Sequence, residues 1–132
     1  MAKKDFSYRG KTIEELQAMN TSEFVKLLPS RQRRSLTRGF SEMQKRLLLK
    51  IKKTKEGKYK KPIKTHCRDM LIIPEMLGVN IHVHSGKAYL QIEIIPEMLG
   101  RYLGEMVLTR TRVAHSAPGI GATKSSSAAS VK

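Results

Sequence analysis

Apolar and polar residues follow two different periods along this chain. In the first half the apolar residues recur every three or four positions, which is typical of amphipathic helices. From Val79 onward the period becomes two, which is typical of strands that bury one face. The pattern therefore predicts helices first and a small sheet after them.

Two short helices are predicted near the start. In the stretch KTIEELQAMN, Thr12 and Glu15 have the spacing of a capping box, and apolar residues recur on one side of the helix that would follow. The stretch TSEFVKLLP predicts a second helix, which Pro29 ends.

A longer helix is predicted to begin at Ser30 and to run for about twenty residues. Its apolar face would contain Leu36, Phe40, Met43, Leu47 and Ile51. Its opposite face would contain Arg31, Arg34, Arg38, Lys45 and Lys52. Gly39 would weaken this helix by roughly 1 kcal/mol relative to alanine. The stretch KKTKEGKYKKPIK has no apolar period, so it predicts an extended cationic linker.

The period-two region predicts a hairpin of two strands joined by the turn SGK, whose glycine suits a tight turn. The stretch DMLII before it is predicted to supply a third strand, since two strands alone are marginally stable.

The heptapeptide IIPEMLG occurs at Ile72–Gly78 and again at Ile94–Gly100. Each copy predicts a strand end followed by a helical turn, because proline suits the first helical position and glycine suits the residue after a helix. A strand follows Gly78 at once, so the first copy should be a single turn. After Gly100 an apolar arc continues, so the helix is predicted to extend. Two copies do not predict a solenoid, which needs about three repeats or more.

Charge divides the chain into four predicted segments. Residues 1–29 hold the short helices, with five Lys or Arg and four Asp or Glu. Residues 30–64 hold the basic helix and linker, with fourteen Lys or Arg and two Asp or Glu. Residues 65–109 are predicted to form an α+β core. Within it, residues 65–105 carry three Lys or Arg and five Asp or Glu. Residues 110–132 are predicted to be an extended, Gly- and Ser-rich basic tail without an acid. The net charge of +15 predicts a polyanionic partner.

Several classes of protein are disfavoured by the sequence. The N-terminus lacks the apolar region of a secretory signal, and no apolar run is long enough to cross a membrane. The single Cys67 cannot form an internal disulfide, which favours a soluble, intracellular protein. The stretch GIGATKSS has threonine where a phosphate loop needs glycine. The sequence predicts no enzyme.

A metal site is the only chemistry that the histidines suggest. His82 and His84 would lie on one face of a strand, and His66 and Cys67 are close in sequence. Because the usual ligand spacings are absent, solvent-facing histidines are favoured, and neither a metal nor a cofactor is expected.

The cations of the basic segment are the stronger signal, because two acids cannot neutralise fourteen bases. The predicted RNA-binding residues of this segment and its border are Arg31, Arg33, Arg34, Arg38, Lys45, Arg46, Lys52, Lys53, Lys55, Lys58, Lys60, Lys61, Lys64 and Arg68. Few aromatic residues are available for base stacking, so recognition of phosphates and shape in a structured RNA is favoured. The alternative is a general nucleic-acid-binding protein that compacts DNA.

Gly100 and Gly104 leave two interpretations open. They could allow close packing of a last helix on the sheet, or close approach of an RNA backbone beside Arg101.

The chain resembles ribosomal protein S-nineteen, a family of the small ribosomal subunit, and the signature residues lie in its second half. The resemblance depends on Ser85-Gly86-Lys87, Ile94, Leu99-Gly100, Leu103-Gly104-Glu105-Met106 and Thr109, and it extends from about Ser7 to Ser126. The stretches SRQRRSLTRGF and CRDMLIIPEM are similar to the archaeal and eukaryotic branch of that family.

The resemblance implies a three-stranded α+β fold, a place in the head of the small subunit, and binding to small-subunit rRNA. It implies a ribosome-bound, cytoplasmic protein that neighbours small-subunit ribosomal protein thirteen, with no membrane partner and a C-terminal tail that reaches toward the decoding site and tRNA. Further RNA contacts implied in this way are Lys87, Arg101, Arg110, Arg112, His115 and Lys124 of the tail.

Overall fold

The computed structural model describes residues 6–110. Within this range the α-helices are α1 (Ile13–Ala18), α2 (Thr21–Leu27), α3 (Ser30–Thr37) and α4 (Glu42–Lys55). The strands are β1 (Ile63–Thr65), β2 (Asn80–His84) and β3 (Tyr89–Glu93). Short 3₁₀ turns lie at Pro74–Met76, Pro96–Met98 and Leu103–Met106. The predicted α+β class is confirmed, and all of the predicted tail except Arg110 lies outside the described residues.

The two short N-terminal helices form as predicted. The amide of Glu15 donates to Thr12 Oγ1 at 3.4 Å, and the amide of Thr12 donates to Glu15 Oε2 at 3.3 Å, so the capping box is present. Helices this short are unstable alone. They are stabilised by packing, because Leu16, Phe24 and Leu28 are almost completely buried.

The prediction of one long basic helix is wrong, because the helix is interrupted between Thr37 and Glu42. Gly39 has φ +88°, a left-handed conformation that an α-helix cannot contain. A new helix then begins at Ser41, whose Oγ accepts from the amide of Gln44 at 3.4 Å while Gln44 Oε1 accepts from the amide of Ser41 at 3.0 Å. The sequence Ser-x-x-Gln is a capping box that marks this second start.

The sheet has the order β1-β2-β3, with β1 parallel to β2 and β2 antiparallel to β3. The predicted hairpin is confirmed. Its connection is stabilised by the hydroxyl of Ser85, which accepts from the amide of Ala88 at 3.3 Å, and by Gly86 at φ +102°. One face of the sheet is buried, and its apolar side chains are Ile63, Ile81, Val83 and Ile92.

The third strand is not the predicted one. The stretch DMLII forms only one isolated bridge, between Leu71 and Tyr102. The third strand is β1, whose first two residues, Ile63 and Lys64, lie at the end of the segment predicted to be a linker. A three-residue strand is too short to show a period, and the surrounding lysines hide its apolar residue, Ile63.

The two IIPEMLG copies adopt the same conformation and are paired with each other. The amide of Gly100 donates to the carbonyl of Ile72 at 3.1 Å, and the amide of Gly78 donates to the carbonyl of Ile94 at 2.9 Å. The first residue of each copy therefore accepts a hydrogen bond from the last residue of the other. The prediction of a single turn closed by glycine is confirmed for the first copy, where Gly78 has φ +73°.

The predicted extension of the helix after the second copy is wrong. Gly100 has φ +75°, which ends the turn. The chain then starts a separate 3₁₀ turn at Leu103, where the amide of Tyr102 donates to Glu105 Oε1 at 3.3 Å. The apolar residues that suggested a continuous helix are instead shared between two turns.

The buried core draws side chains from the whole described range. Leu16 comes from α1, Leu47 and Ile51 from α4, Met70 from the segment after β1, Met76 from the first 3₁₀ turn, and others from the sheet. The core therefore contains residues from both sides of the predicted segment boundaries at 29/30 and 64/65. Because α4 is packed on this core, its outer face is held in a fixed position relative to the sheet.

Candidate nucleic-acid interface

Nearly all of the predicted RNA-binding cations in the described part of the chain are exposed. The exposed residues are Arg31, Arg33, Arg34, Arg38, Lys45, Arg46, Lys52, Lys53, Lys55, Lys58, Lys60, Lys61, Lys64, Lys87, Arg101 and Arg110. Arg68 is partly buried. Arg112, His115 and Lys124 lie outside the described residues.

Three arginines of α3 line a concave surface, which we call the arginine concavity. Arg31 and Arg34 lie in α3, and Arg38 is the residue that caps its C-terminus. Because their spacing is i, i+3 and i+7, the three side chains share one side of the helix. The concavity has a volume of about 650 Å³, and the interruption at Gly39 brings the start of α4 to its far wall. Guanidinium groups suit phosphate oxygens, which they bind with two parallel hydrogen bonds.

Asp69 is the one acid that lines the arginine concavity among the described residues. Its Oδ2 accepts from Gln44 Nε2 at 2.8 Å. No salt bridge forms between this carboxylate and an arginine within residues 6–110. The positive charge of the concavity therefore remains available to an anion.

A second surface is a groove between α4 and β1, which we call the α4–β1 groove. It has a volume of about 490 Å³. Its rim carries Arg46, Lys50, Lys53 and Lys64. Its walls are mostly apolar or aromatic, and they include Met43, Leu47, Leu49, Tyr59, His66 and Cys67. No carboxylate is among the described residues that line it.

A third surface lies between the segment that joins α4 to β1 and the start of β2, and we call it the lysine pocket. Lys55, Lys60 and Lys61 line it together with His82, and its volume is about 460 Å³. Nδ1 of His82 is buried there and has no hydrogen-bond partner within the described residues. The pocket thus offers three ammonium groups to a polar ligand, whereas the buried Nδ1 of His82 is out of a ligand's reach.

Three of the exposed cations have acidic neighbours. Lys52 Nζ lies 3.4 Å from Glu75 Oε2, Lys58 Nζ lies 2.8 Å from Glu56 Oε2, and Arg46 Nη2 lies 3.8 Å from Glu42 Oε2. Exposed pairs of this kind contribute about 0–1 kcal/mol. A phosphate can therefore replace the carboxylate at small cost.

Arg68 differs from the other predicted cations because the fold itself uses its guanidinium. Nη1 donates to the carbonyl of His84 at 2.7 Å, and Nη2 donates to the carbonyls of Gly104 and Val107 at 2.7 and 2.6 Å. The side chain thereby joins the end of β2 to the last 3₁₀ turn. Arg33 is partly used in the same way, since its Nη2 donates to the carbonyl of Leu28 at 3.0 Å near the end of α2.

The two glycines are closely packed. A Cβ on Gly100 would lie 2.8 Å from Tyr8 Oη and 2.9 Å from Leu28 Cδ2. A Cβ on Gly104 would lie 3.0 Å from the carbonyl oxygen of Arg68. Of the two interpretations, close packing is observed, although the neighbours are the N-terminal segment and the Arg68 loop rather than the sheet.

The family model for ribosomal protein S19 matches residues 34–115. This match covers well over half of the chain. The chain belongs to the ribosomal protein S19 family. The matched range includes every predicted RNA-binding residue except Arg31, Arg33 and Lys124.

Membership of the ribosomal protein S19 family identifies the chain as a structural constituent of the small ribosomal subunit. Proteins of this family bind rRNA, assemble with other ribosomal proteins and are non-enzymatic. Among the described residues, no helix combines the length and the apolar character needed to cross a bilayer.

Some residues that line the candidate interface were not predicted from the sequence. Lys50 was omitted from the predicted contacts, although Arg46, Lys50 and Lys53 lie at positions i, i+4 and i+7 on the side of α4 that faces the groove. The spacing alone could have identified it. Tyr59 and His66 also line the groove, but they lie in irregular segments that no sequence period marks.

The histidines meet in a different combination from the one predicted. His82 and His84 do lie on one face of β2, but His84 contacts His66, with ring centroids 4.3 Å apart. His66 Nε2 also hydrogen-bonds the hydroxyl of Tyr89 at 2.6 Å. Cys67 is buried. Within residues 6–110 no three His, Cys, Asp or Glu side chains are close enough to hold a metal ion.

Proposed function

We propose that this S19-family protein binds small-subunit rRNA in the head of the subunit, through phosphates and shape, with the outer surface of α3 and α4. The observation that carries this proposal is a set of three cation-lined concave surfaces, each of which is lined in part by residues of α3, of α4 or of the segment between them. Of the residues in the range 6–110, ten cations and one acid line these surfaces, and the acid, Asp69, is hydrogen-bonded to Gln44. Such a surface fits a densely charged backbone.

The rigidity of this surface supports recognition of RNA shape. α4 is anchored in the core through Leu47 and Ile51, which are 3% and 1% exposed. The rim of the α4–β1 groove is therefore fixed relative to the lysine pocket. A helix is too wide for the deep, narrow groove of an A-form duplex, so we expect it to lie along phosphates or between RNA elements.

The proposal assigns phosphate contacts to exposed cations of the α3 and α4 region and to Lys87, Arg101 and Arg110. It also assigns RNA contacts to Arg112, His115 and Lys124, with a C-terminal tail directed toward the decoding site and tRNA. Small-subunit ribosomal protein thirteen is the proposed protein neighbour, and the cytoplasm is the proposed compartment. These last assignments follow from the resemblance to the family and rest on no contact among residues 6–110.

Competition at fixed salt tests the proposal. The full chain is bound to labelled small-subunit rRNA on filters, and unlabelled rRNA or duplex DNA is added at equal phosphate concentration. We expect unlabelled rRNA to displace the labelled rRNA at a much lower concentration than duplex DNA does, because recognition of RNA shape adds to the electrostatic attraction that both polymers share. Equal displacement by DNA would favour a general nucleic-acid-binding protein. With about six to ten phosphate contacts, affinity should fall ~10³–10⁵-fold between 50 and 200 mM salt.

A further inference from the structure

The α4–β1 groove has walls that phosphates do not need. Met43 and Leu49 are 59% and 58% exposed, although both are large apolar residues. Tyr59 and His66 add aromatic surface to the same groove. A surface that binds only phosphates has no use for exposed apolar side chains, so the groove combines two different kinds of recognition.

The charge of the rim limits which ligand can occupy this groove. A second copy of the chain has a net charge of +15, and residues 111–132 contain three basic and no acidic residues. Both would be repelled by Arg46, Lys50, Lys53 and Lys64. The ligand must therefore offer negative charge at the rim together with an apolar surface for the walls.

We propose that the α4–β1 groove binds an unstacked nucleobase of a single-stranded RNA segment, with the neighbouring phosphates on the cationic rim. This inference rests on the proposed function and adds base recognition to phosphate recognition. Arg46 and Lys53 are seven residues apart on α4, which separates them by about 10 Å along the helix axis. Cations thus follow one side of the groove, where the RNA backbone would run.

The walls favour a flat π system. Aromatic side chains stack on bases, and every base has such a face. The hydroxyl of Thr65, a polar group in the groove lining, is buried and already accepts from the amide of Cys67 at 3.0 Å. With this hydroxyl engaged, we expect binding by stacking with little preference for a particular base.

An acidic segment of another protein is the competing occupant, since it could also supply apolar and negative groups. The aromatic walls and the rRNA-binding family favour RNA. The two occupants are distinguishable, because only RNA binding depends on the presence of a base.

The test compares two hexanucleotide RNAs that have the same phosphates, one intact and one without bases at its central positions. Binding of the full chain is measured by fluorescence anisotropy at low salt. We expect the intact RNA to bind about fivefold or more tightly, which is the lower range of base stacking. The double variant Met43→Gln, Leu49→Gln should reduce this preference to within about twofold, because it removes apolar wall without changing charge or helix propensity.

The matched control is the double variant Leu90→Gln, Leu108→Gln, which changes two exposed leucines outside the groove. It should retain the full preference for the intact RNA. Thermal melts of both variants verify that each is folded.

Equal binding of the two hexanucleotides by the unchanged chain would overturn the nucleobase inference. If that binding still weakens with salt, the proposed function stands without it. A preference that persists in the Met43→Gln, Leu49→Gln variant would also overturn it, because the base would then bind elsewhere. If the same variant lost cross-links to protein but kept those to rRNA in assembled small subunits, the groove would be a protein-docking site. Failure to bind small-subunit rRNA at all would instead reject the proposed function.

Discussion

Residues 30–64 and residues 65–105 have opposite charge balances and contribute differently to the structure. The first segment carries fourteen bases and two acids, whereas the second carries three bases and five acids. The first presents ten of its fourteen bases in the three concave surfaces. The second supplies most of the sheet and the turns around the core. They are nevertheless one structure, because Leu47 and Ile51 of the basic segment are buried in the shared core. The shape of the candidate interface therefore depends on packing against residues 65–105, which carry more acids than bases.

The two IIPEMLG copies extend this comparison to identical sequences. Their backbones agree closely, since Leu77 and Leu99 have φ −57° and −56° and Gly78 and Gly100 have φ +73° and +75°. Their surroundings differ. Met76 is completely buried and Met98 only partly, while Ile73 is 2% exposed and Ile95 is 39% exposed. The heptapeptide determines the local conformation, and the rest of the chain determines the burial. Each copy therefore serves as a control for the other.

The largest effect is expected from reversing the charge of the arginine concavity. The triple variant Arg31→Glu, Arg34→Glu, Arg38→Glu should weaken rRNA binding about 100-fold or more, because charged hydrogen bonds contribute about 1.5–3 kcal/mol each. Filter binding with small-subunit rRNA measures the loss. The thermal midpoint should change little, since these side chains are exposed.

The control for this triple variant is Arg9→Glu, Lys11→Glu, Lys26→Glu, which makes the same change in net charge elsewhere. It should weaken binding much less. Equal losses in the two triple variants would mean that only total charge matters, and the concavity would have no special role.

The next largest effect separates the two methionines of the repeated heptapeptide. Met76→Ala should reduce the free energy of unfolding by about 2–5 kcal/mol, since it leaves a cavity in the core. Met98→Ala should reduce the free energy of unfolding by less than about 1.5 kcal/mol, because this side chain is already partly exposed. Urea denaturation measures both. Similar losses at the two positions would show that the surroundings of the two copies do not differ as described.

The glycines of the two copies should differ for a steric reason. Gly78→Ala should reduce the free energy of unfolding by about 1–2 kcal/mol, because the only penalty is the left-handed conformation that alanine must adopt. Gly100→Ala should cost about 2–4 kcal/mol, because its new Cβ also meets Tyr8 Oη and Leu28 Cδ2. A Gly78→Ala variant as unstable as Gly100→Ala, in the same denaturation assay, would contradict the packing of the N-terminal segment.

A smaller effect distinguishes a structural arginine from a binding one. Arg68→Met should cost about 1–3 kcal/mol of stability, since it leaves the carbonyls of His84, Gly104 and Val107 without their donor. Arg101→Met should change stability by about 0.5 kcal/mol or less, because the residue is exposed, and should weaken rRNA binding instead. A folded Arg68→Met variant that loses rRNA affinity, together with an Arg101→Met variant that keeps it, would contradict these two roles.

Local signals made part of the fold predictable. The capping box at Thr12, the turn at Gly86 and the Pro-to-Gly turn of the first heptapeptide each depend on side chains within a few residues. The α+β class followed from the change of period. The interruption at Gly39 was equally local, but the apolar period on both sides suggested one helix and concealed the second capping box at Ser41.

Features that depend on distant residues were not predictable from the sequence. β1 is recognisable only from its pairing with β2, and the two heptapeptides are paired through hydrogen bonds between residues 16 or 28 positions apart. The role of Arg68 depends on carbonyls that lie 16 to 39 residues away. For the candidate interface, composition located the cations, whereas the walls of the α4–β1 groove required the packing of α4 against β1.

The salt dependence of rRNA binding tests the central claim most directly. The logarithm of the dissociation constant is measured against the logarithm of salt concentration for the unchanged chain and for the triple arginine variant. If Arg31, Arg34 and Arg38 bind phosphates on a surface held by the core, the slope should fall by about two to three, one counterion for each lost contact. An unchanged slope, with the variant folded, would show that these arginines bind no phosphate and would contradict the account.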